Sequence, residues 1–138
     1  LFKNGADIII GNHPHVLQPM EKRQITLNDG TLKDGFVVYS LGNFLADQNK
    51  TYTKDSAILN LAVTKTADGK ISIDSAKYVP LYTFKNTSSS SKKFKLIDLN
   101  NTLAAYDAGY TDDFSESQYT VFRNELNNVK KLLGDEII

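Results

Sequence analysis

Apolar and polar positions along this chain alternate in short runs that predict strands first and a helix last. The run "DIII" (7–10) is continuous and bounded by Gly5 and Gly11, which predicts a strand buried on both faces. "MEKRQITL" (20–27) alternates and predicts a second strand, and "NDGTLKDG" (28–35) carries two Asp-Gly turn signals. "FVVYSLG" (36–42) is another buried apolar run, leading into the polar segment "NFLADQNKTYTKD". "SAILNLAVTK" (56–65) and "ISIDSAKYVPLYTF" (71–84), joined by "TADGK", predict a hairpin. Pro80 interrupts the second arm, which predicts an edge strand or a bend there.

Beyond the hairpin, "KNTSSSSKK" (85–93) is polar and of low complexity, a flexible loop, and "FKLIDLNNTLAAYDAGY" suggests a short strand followed by one or two helical turns. Ser115 with Gln118 forms a capping-box pattern, and Tyr119, Phe122, Leu126, Val129 and Leu133 recur at helical spacing up to Gly134. At the other end, "LFKNG" reads as the last turn of a helix, with Lys3 suited to the negative end of its dipole and Gly5 to the left-handed terminus. The expectation is a C-terminal piece of a longer protein. Strands followed by a helix place it in an α/β or α+β sheet domain.

Composition narrows the classes. With 16 Lys+Arg against 16 Asp+Glu in 138 residues, no global field recruits nucleic acid or an anionic membrane. The one basic run, "SSSSKKFK", is a solvated loop in the making. The absence of cysteine excludes disulfides, thiolate zinc sites and cysteine nucleophiles, and it leaves the redox compartment open. No apolar stretch approaches the ~20 residues that cross a bilayer as a helix, and no signal peptide opens the sequence.

The candidate chemistry lies in "GNHPHVLQ" (11–18), which holds both histidines. Pro14 fixes its own φ and pushes His13 toward an extended conformation, in which His13 and His15 would project to one side at the end of a buried strand. Ligand sites in open α/β sheets commonly lie there. Imidazole suits zinc, iron, nickel and copper, and manganese where carboxylates join it. Two ligands do not complete a site. Asp7, Glu21 and Asp47 are the nearest carboxylates in sequence, and none has ligand spacing relative to the pair. Histidines beside a proline can also simply hydrogen-bond backbone carbonyls. "GNH" admits a different motif, with Asn12 and His13 both at a metal and His15 idle. A second constellation, "YSLGNF" (39–44), offers Ser40 and Asn43 at the mouth of the other apolar strand, although turn chemistry explains them equally well. If the two strands are neighbours, Asn43 comes close to His13 and His15.

"GADIIIGNHPHVLQPME" and "FVVYSLGNF", in this order and separation, together resemble the bacterial capsule synthesis protein CapA family, whose better-known members act in poly-γ-glutamate capsule synthesis or export. The resemblance is specific over residues 5 to 44, with "YVPLY" (78–82) a weak echo. It implies a fold similar to the calcineurin-like metallophosphatases. Residues 1–138 would then form the C-terminal portion of a single CapA-like domain, part of an αββα sandwich that is strand-rich with a C-terminal helix, its N-terminal half absent. It implies that "HPH" is the Gly-His-x-His-like element of a dinuclear site. His13 and His15 would bind divalent manganese, zinc or iron, with Asn12, Ser40 and Asn43 as supporting or substrate-binding residues and the other ligands upstream. It further implies poly-γ-glutamate or another capsule polymer and other capsule-synthesis membrane proteins as partners, no nucleic acid, and a place on the extracellular face of the membrane behind an N-terminal anchor. Two functions compete: a metal-dependent hydrolase, of which this piece alone would be inactive, and a non-catalytic scaffold or polymer-binding component.

Overall fold

A computed structural model of the chain describes residues 1–87, 93–111 and 113–135. The protein is mixed α/β and strand-rich, with two three-stranded sheets and a long C-terminal helix. A 3-10 turn, Phe2–Asn4, ends at Gly5 in the left-handed region, as the opening pattern predicts. The first sheet holds β1 (Ile8–Ile10), β2 (Met20–Thr26) and β3 (Leu32–Val38) in the order β1-β3-β2. β1 runs parallel to β3, pairing Ile8 with Phe36 and Ile10 with Val38, and β2 is antiparallel to β3.

Two expectations for this sheet are corrected. β1 was expected to be buried on both faces, yet among the described residues it is an edge strand, only partly buried, with Ile10 58% exposed. A continuous apolar run reports a strand without reporting how many neighbours cover it. Of the two Asp-Gly signals, Asp29-Gly30 makes the turn, but Asp34-Gly35 lies within β3. Gly35 is needed there for closeness, since a Cβ on it would sit 2.7 Å from the Phe2 ring.

The second sheet holds β4 (Asp55–Lys65), β5 (Ile71–Lys85) and β6 (Phe94–Asp98) in the order β4-β5-β6, all antiparallel. Here Pro80 occupies a central strand and no bend interrupts the pairing around it, contrary to the edge or bend expected. The register explains the tolerance. Ala57, opposite Pro80, donates its N–H away from β5 to the Leu41 carbonyl (3.1 Å), so the Ala57–Pro80 pair exchanges no ladder bond. β6 pairing begins only at Leu81, so the missing proline N–H leaves nothing unmade.

Two helices follow, α1 (Leu99–Asp107), capped by Asp98, and α2 (Glu116–Leu133). The predicted capping box forms at α2: the Ser115 hydroxyl accepts from Gln118 N–H, and the Gln118 side chain accepts from Ser115 N–H at 2.8 Å. The loop expected over 85–93 falls largely on 88–92, outside the described residues. One core cluster joins the sheets, with Met20, Phe36 and Val38 packed with Ala57, Ile73 and Ala76 under Val129 and Leu133 of α2. The other packs Tyr82, Ile97, Leu99 and Leu103 against Tyr119 and Phe122. α2 therefore spans both clusters and ties the second sheet to the first. Among the described residues no helix is long and apolar enough to cross a membrane.

Candidate functional site

Because β1 and β3 are parallel neighbours, the loops leaving their carboxyl ends emerge side by side. That adjacency brings the two sequence constellations together. Ser40, fully buried, donates to the Asn12 side-chain oxygen (3.3 Å) and accepts from Gly42 N–H (3.2 Å). Asn43, only 7% exposed, places Oδ1 2.9 Å from His15 Nδ1. Its Nδ2 lies 3.1 Å from the carbonyl oxygens of His15 and Thr53 and 3.3 Å from Gln48 Oε1. Gly42 makes this approach possible. Its φ is +74°, and a Cβ on it would meet the Asp55 carbonyl oxygen at 2.4 Å.

The histidine loop itself is not extended, as Pro14 had led us to expect. It turns at His13–Pro14, His15 N–H reaches the Asn12 carbonyl at 3.4 Å, and His15 adopts φ +60°. Tertiary hydrogen bonds account for the difference: Asn43 grips both the ring and the carbonyl of His15, and this outweighs the local preference for an extended chain. Both imidazoles are exposed, and His13 has no side-chain hydrogen bond among the described residues. Asn43 meets His15; no hydrogen bond joins it to His13 among the described residues.

The nearby carboxylates are engaged elsewhere. Asp7 pairs with Lys33 at 2.8 Å. Glu21 accepts from the Tyr39 hydroxyl and from Arg23, which hold its carboxyl below the usual range. Asp47 pairs with Lys85, whose hydrogen bond holds it low in the same way. Among the described residues no group of three or more His, Asp or Glu side chains could hold a metal. The loop therefore offers two imidazoles and no more.

Sequence reasoning passed over one group next to this loop. Asp55, 4% exposed at the start of β4, lines a cavity of about 430 Å³ with Val16 and Leu17 of the histidine loop and Val129 of α2. Burial pushes its pKa up to about 7, helped by the charge of Glu125 and a hydrogen bond to it. One of its oxygens has no partner among the described residues. The missed signal was period two: Asp55, Ala57, Leu59 and Leu61 share one face of β4, so the acid points where the apolar residues point.

Residues 1–48 of the 138 match the family model described as bacterial capsule synthesis protein PGA_cap. That stretch is therefore similar to bacterial capsule synthesis protein sequence. The PGA biosynthesis protein CapA of Bacillus subtilis (strain 168) is 44% identical over 69 residues, which is 50% of this chain and 16% of that protein. The capsule biosynthesis protein CapA of Bacillus anthracis is 51% identical over 55 residues, 40% of this chain and 11% of that protein. The chain thus aligns with only a small part of either relative's length. No solved structure matches it. Both histidines, Ser40 and Asn43 lie inside the stretch that the family model matches, while Asp55 and Glu125 lie beyond the end of that match.

Proposed function

We propose that His13 and His15 are two ligands of a divalent metal centre in a capsule biosynthesis protein, of which this chain forms the C-terminal portion of one domain. The observation that carries this reading is the pair of exposed imidazoles at the carboxyl end of parallel β1, one of them gripped by a buried asparagine from the loop after β3. The donor set fits in kind: imidazoles suit zinc or iron, and manganese where carboxylates join them. It fits in number only as a share, because catalytic sites take three or more protein ligands. The rest would come from a part of the protein N-terminal to this chain.

When bound, such a metal pair would supply Lewis acidity and an activated water to a metallophosphatase-like hydrolase. In this chain, Asn43 orients His15, and Ser40 steadies Asn12 beside the histidines. The names of the two relatives support a role in making a capsule polymer; a polymer such as poly-γ-glutamate would be what the protein handles, with capsule-synthesis membrane proteins as its partners. The place of work would be the outer face of the membrane, held by an anchor outside this chain. The 138-residue chain alone is expected to be inactive. A second reading, a non-catalytic scaffold or polymer-binding component, draws on the lack of any third ligand among the described residues.

The deciding experiment counts bound metal in the whole capsule protein, with and without His13→Ala and His15→Ala. About two metals per chain, as in two-metal sites, that both variants lose would support the centre. A wild-type protein that stays metal-free in manganese and zinc would leave the scaffold.

A further inference from the structure

The two histidines are not equivalent, and Asn43 is what separates them. The orientation of its amide is fixed by its surroundings. Backbone carbonyls only accept, and two of them, Thr53 and His15, lie 3.1 Å from one end of the amide, so that end must be the NH2 group. The other end, Oδ1, then faces His15 Nδ1 at 2.9 Å, and an amide oxygen also only accepts. The hydrogen between them therefore belongs to Nδ1. In a neutral imidazole that leaves Nε2 unprotonated, with its lone pair free and no hydrogen bond to it among the described residues.

We propose that Asn43 is a positioning residue that holds His15 as the Nδ1–H tautomer and reserves Nε2 as the electron-pair donor of the loop. This rests on the proposed metal role only for its purpose, since a ligating histidine commonly donates its other ring N–H to a fixed acceptor. The same side chain, by donating to the His15 carbonyl, supports the left-handed backbone at φ +60° and so fixes where the ring stands. Burial makes the arrangement rigid: Asn43 is 7% exposed and packed behind Gly42, where its amide cannot turn over without facing two carbonyls with an oxygen. His13 has no such brace among the described residues and remains free to take either tautomer.

The test reads tautomers directly. Long-range 1H–15N correlation spectra of the 15N-labelled chain would be taken with chelator at about pH 8.5, above the ordinary imidazole range. His15 is expected to show the Nδ1–H pattern and His13 the Nε2–H-weighted pattern of an unconstrained ring. Asn43→Ala is expected to shift His15 to the His13-like pattern and leave His13 unmoved. A wild-type His15 protonated at Nε2 would overturn the proposal, with no variant needed. So would an Asn43→Ala spectrum that keeps Nδ1–H. Metal is absent throughout, so the tautomer can hold while the metal count is zero, or fail while metal binds, and the two ideas stand or fall apart.

Discussion

Replacing Asp55 with asparagine should make the chain more stable at mildly alkaline pH and remove most of its pH dependence near neutrality. The acid sits 4% exposed between β4 and α2, beside Tyr82 and against Glu125, and burial raises its pKa from 3.8 to about 7. A carboxyl whose folded pKa lies above its unfolded value stabilises the fold while it keeps its proton. That contribution is complete below pH 3.8 and is lost as the pH rises through about 7. A shift of roughly 3 units corresponds to about 4 kcal/mol, of which roughly 3 kcal/mol falls between about pH 5 and about pH 8. Asparagine cannot ionise, and its NH2 group can donate to Glu125 where the acid's proton did.

The assay is urea unfolding followed by far-UV circular dichroism at those two pH values, for wild type and Asp55→Asn. The difference between the proteins cancels every titrating group they share. Asp29, Asp68 and Asp74, held below the usual range chiefly by hydrogen bonds from Thr31, Thr66 and Thr64, finish ionising below the window in any case. Wild type should lose stability toward pH 8 while the variant stays level and ends the more stable of the two. Wild-type curves that coincide at both pH values, or a variant that falls in step with wild type, would refute the burial argument.

Other substitutions test the packing around the site. Gly42→Ala should cost roughly 2–4 kcal/mol, because it combines a φ of +74° with a Cβ 2.4 Å from the Asp55 carbonyl oxygen. A thermal midpoint within a degree or two of wild type would show that β4 can give way. Phe122→Ala should cost about 3–5 kcal/mol, since its ring is 1% exposed and meets Tyr82, Phe84, Phe114 and Tyr119. A urea-unfolding loss below about 1 kcal/mol would mean that this cluster does not hold α2 in place.

Legibility in the sequence followed the range of the interactions involved. The hairpin and the capping box of α2 depend on neighbours within a few residues, and the pattern found them close to their observed bounds; the short strand before α1 was read in kind but without bounds. The meeting of Asn43 with His15 was readable only on the condition that the two apolar strands pair, which they do. Which strand lies at an edge is decided by partners far away in sequence, so the burial of β1 and the placing of Pro80 were misread. The Asp-Gly at 34–35 misled because a distant ring, Phe2, and not a turn, required the glycine. Asp55 escaped notice because the segment before it is polar, although its own parity pointed inward.

The start of β4 links these cases. Thr53 supplies one of the carbonyls that orient Asn43, Asp55 supplies the carbonyl that crowds Gly42, and Ser56 pairs with Gly42 across an isolated bridge. All three lie past residue 48, where the family-model match ends, and together they form the wall against which the histidine loop is set. The "HPH" and "LGNF" residues carry donors and acceptors; their geometry is imposed from outside the motif. It follows that a change at 53–56 can disturb His15 without touching either motif, and that the protonation of Asp55 bears on the same wall. Tertiary structure therefore distinguishes two histidines that the sequence presents as a matched pair. His15 is held with its carbonyl, its ring and its backbone angle all fixed by one buried side chain, and His13 has no such brace among the described residues.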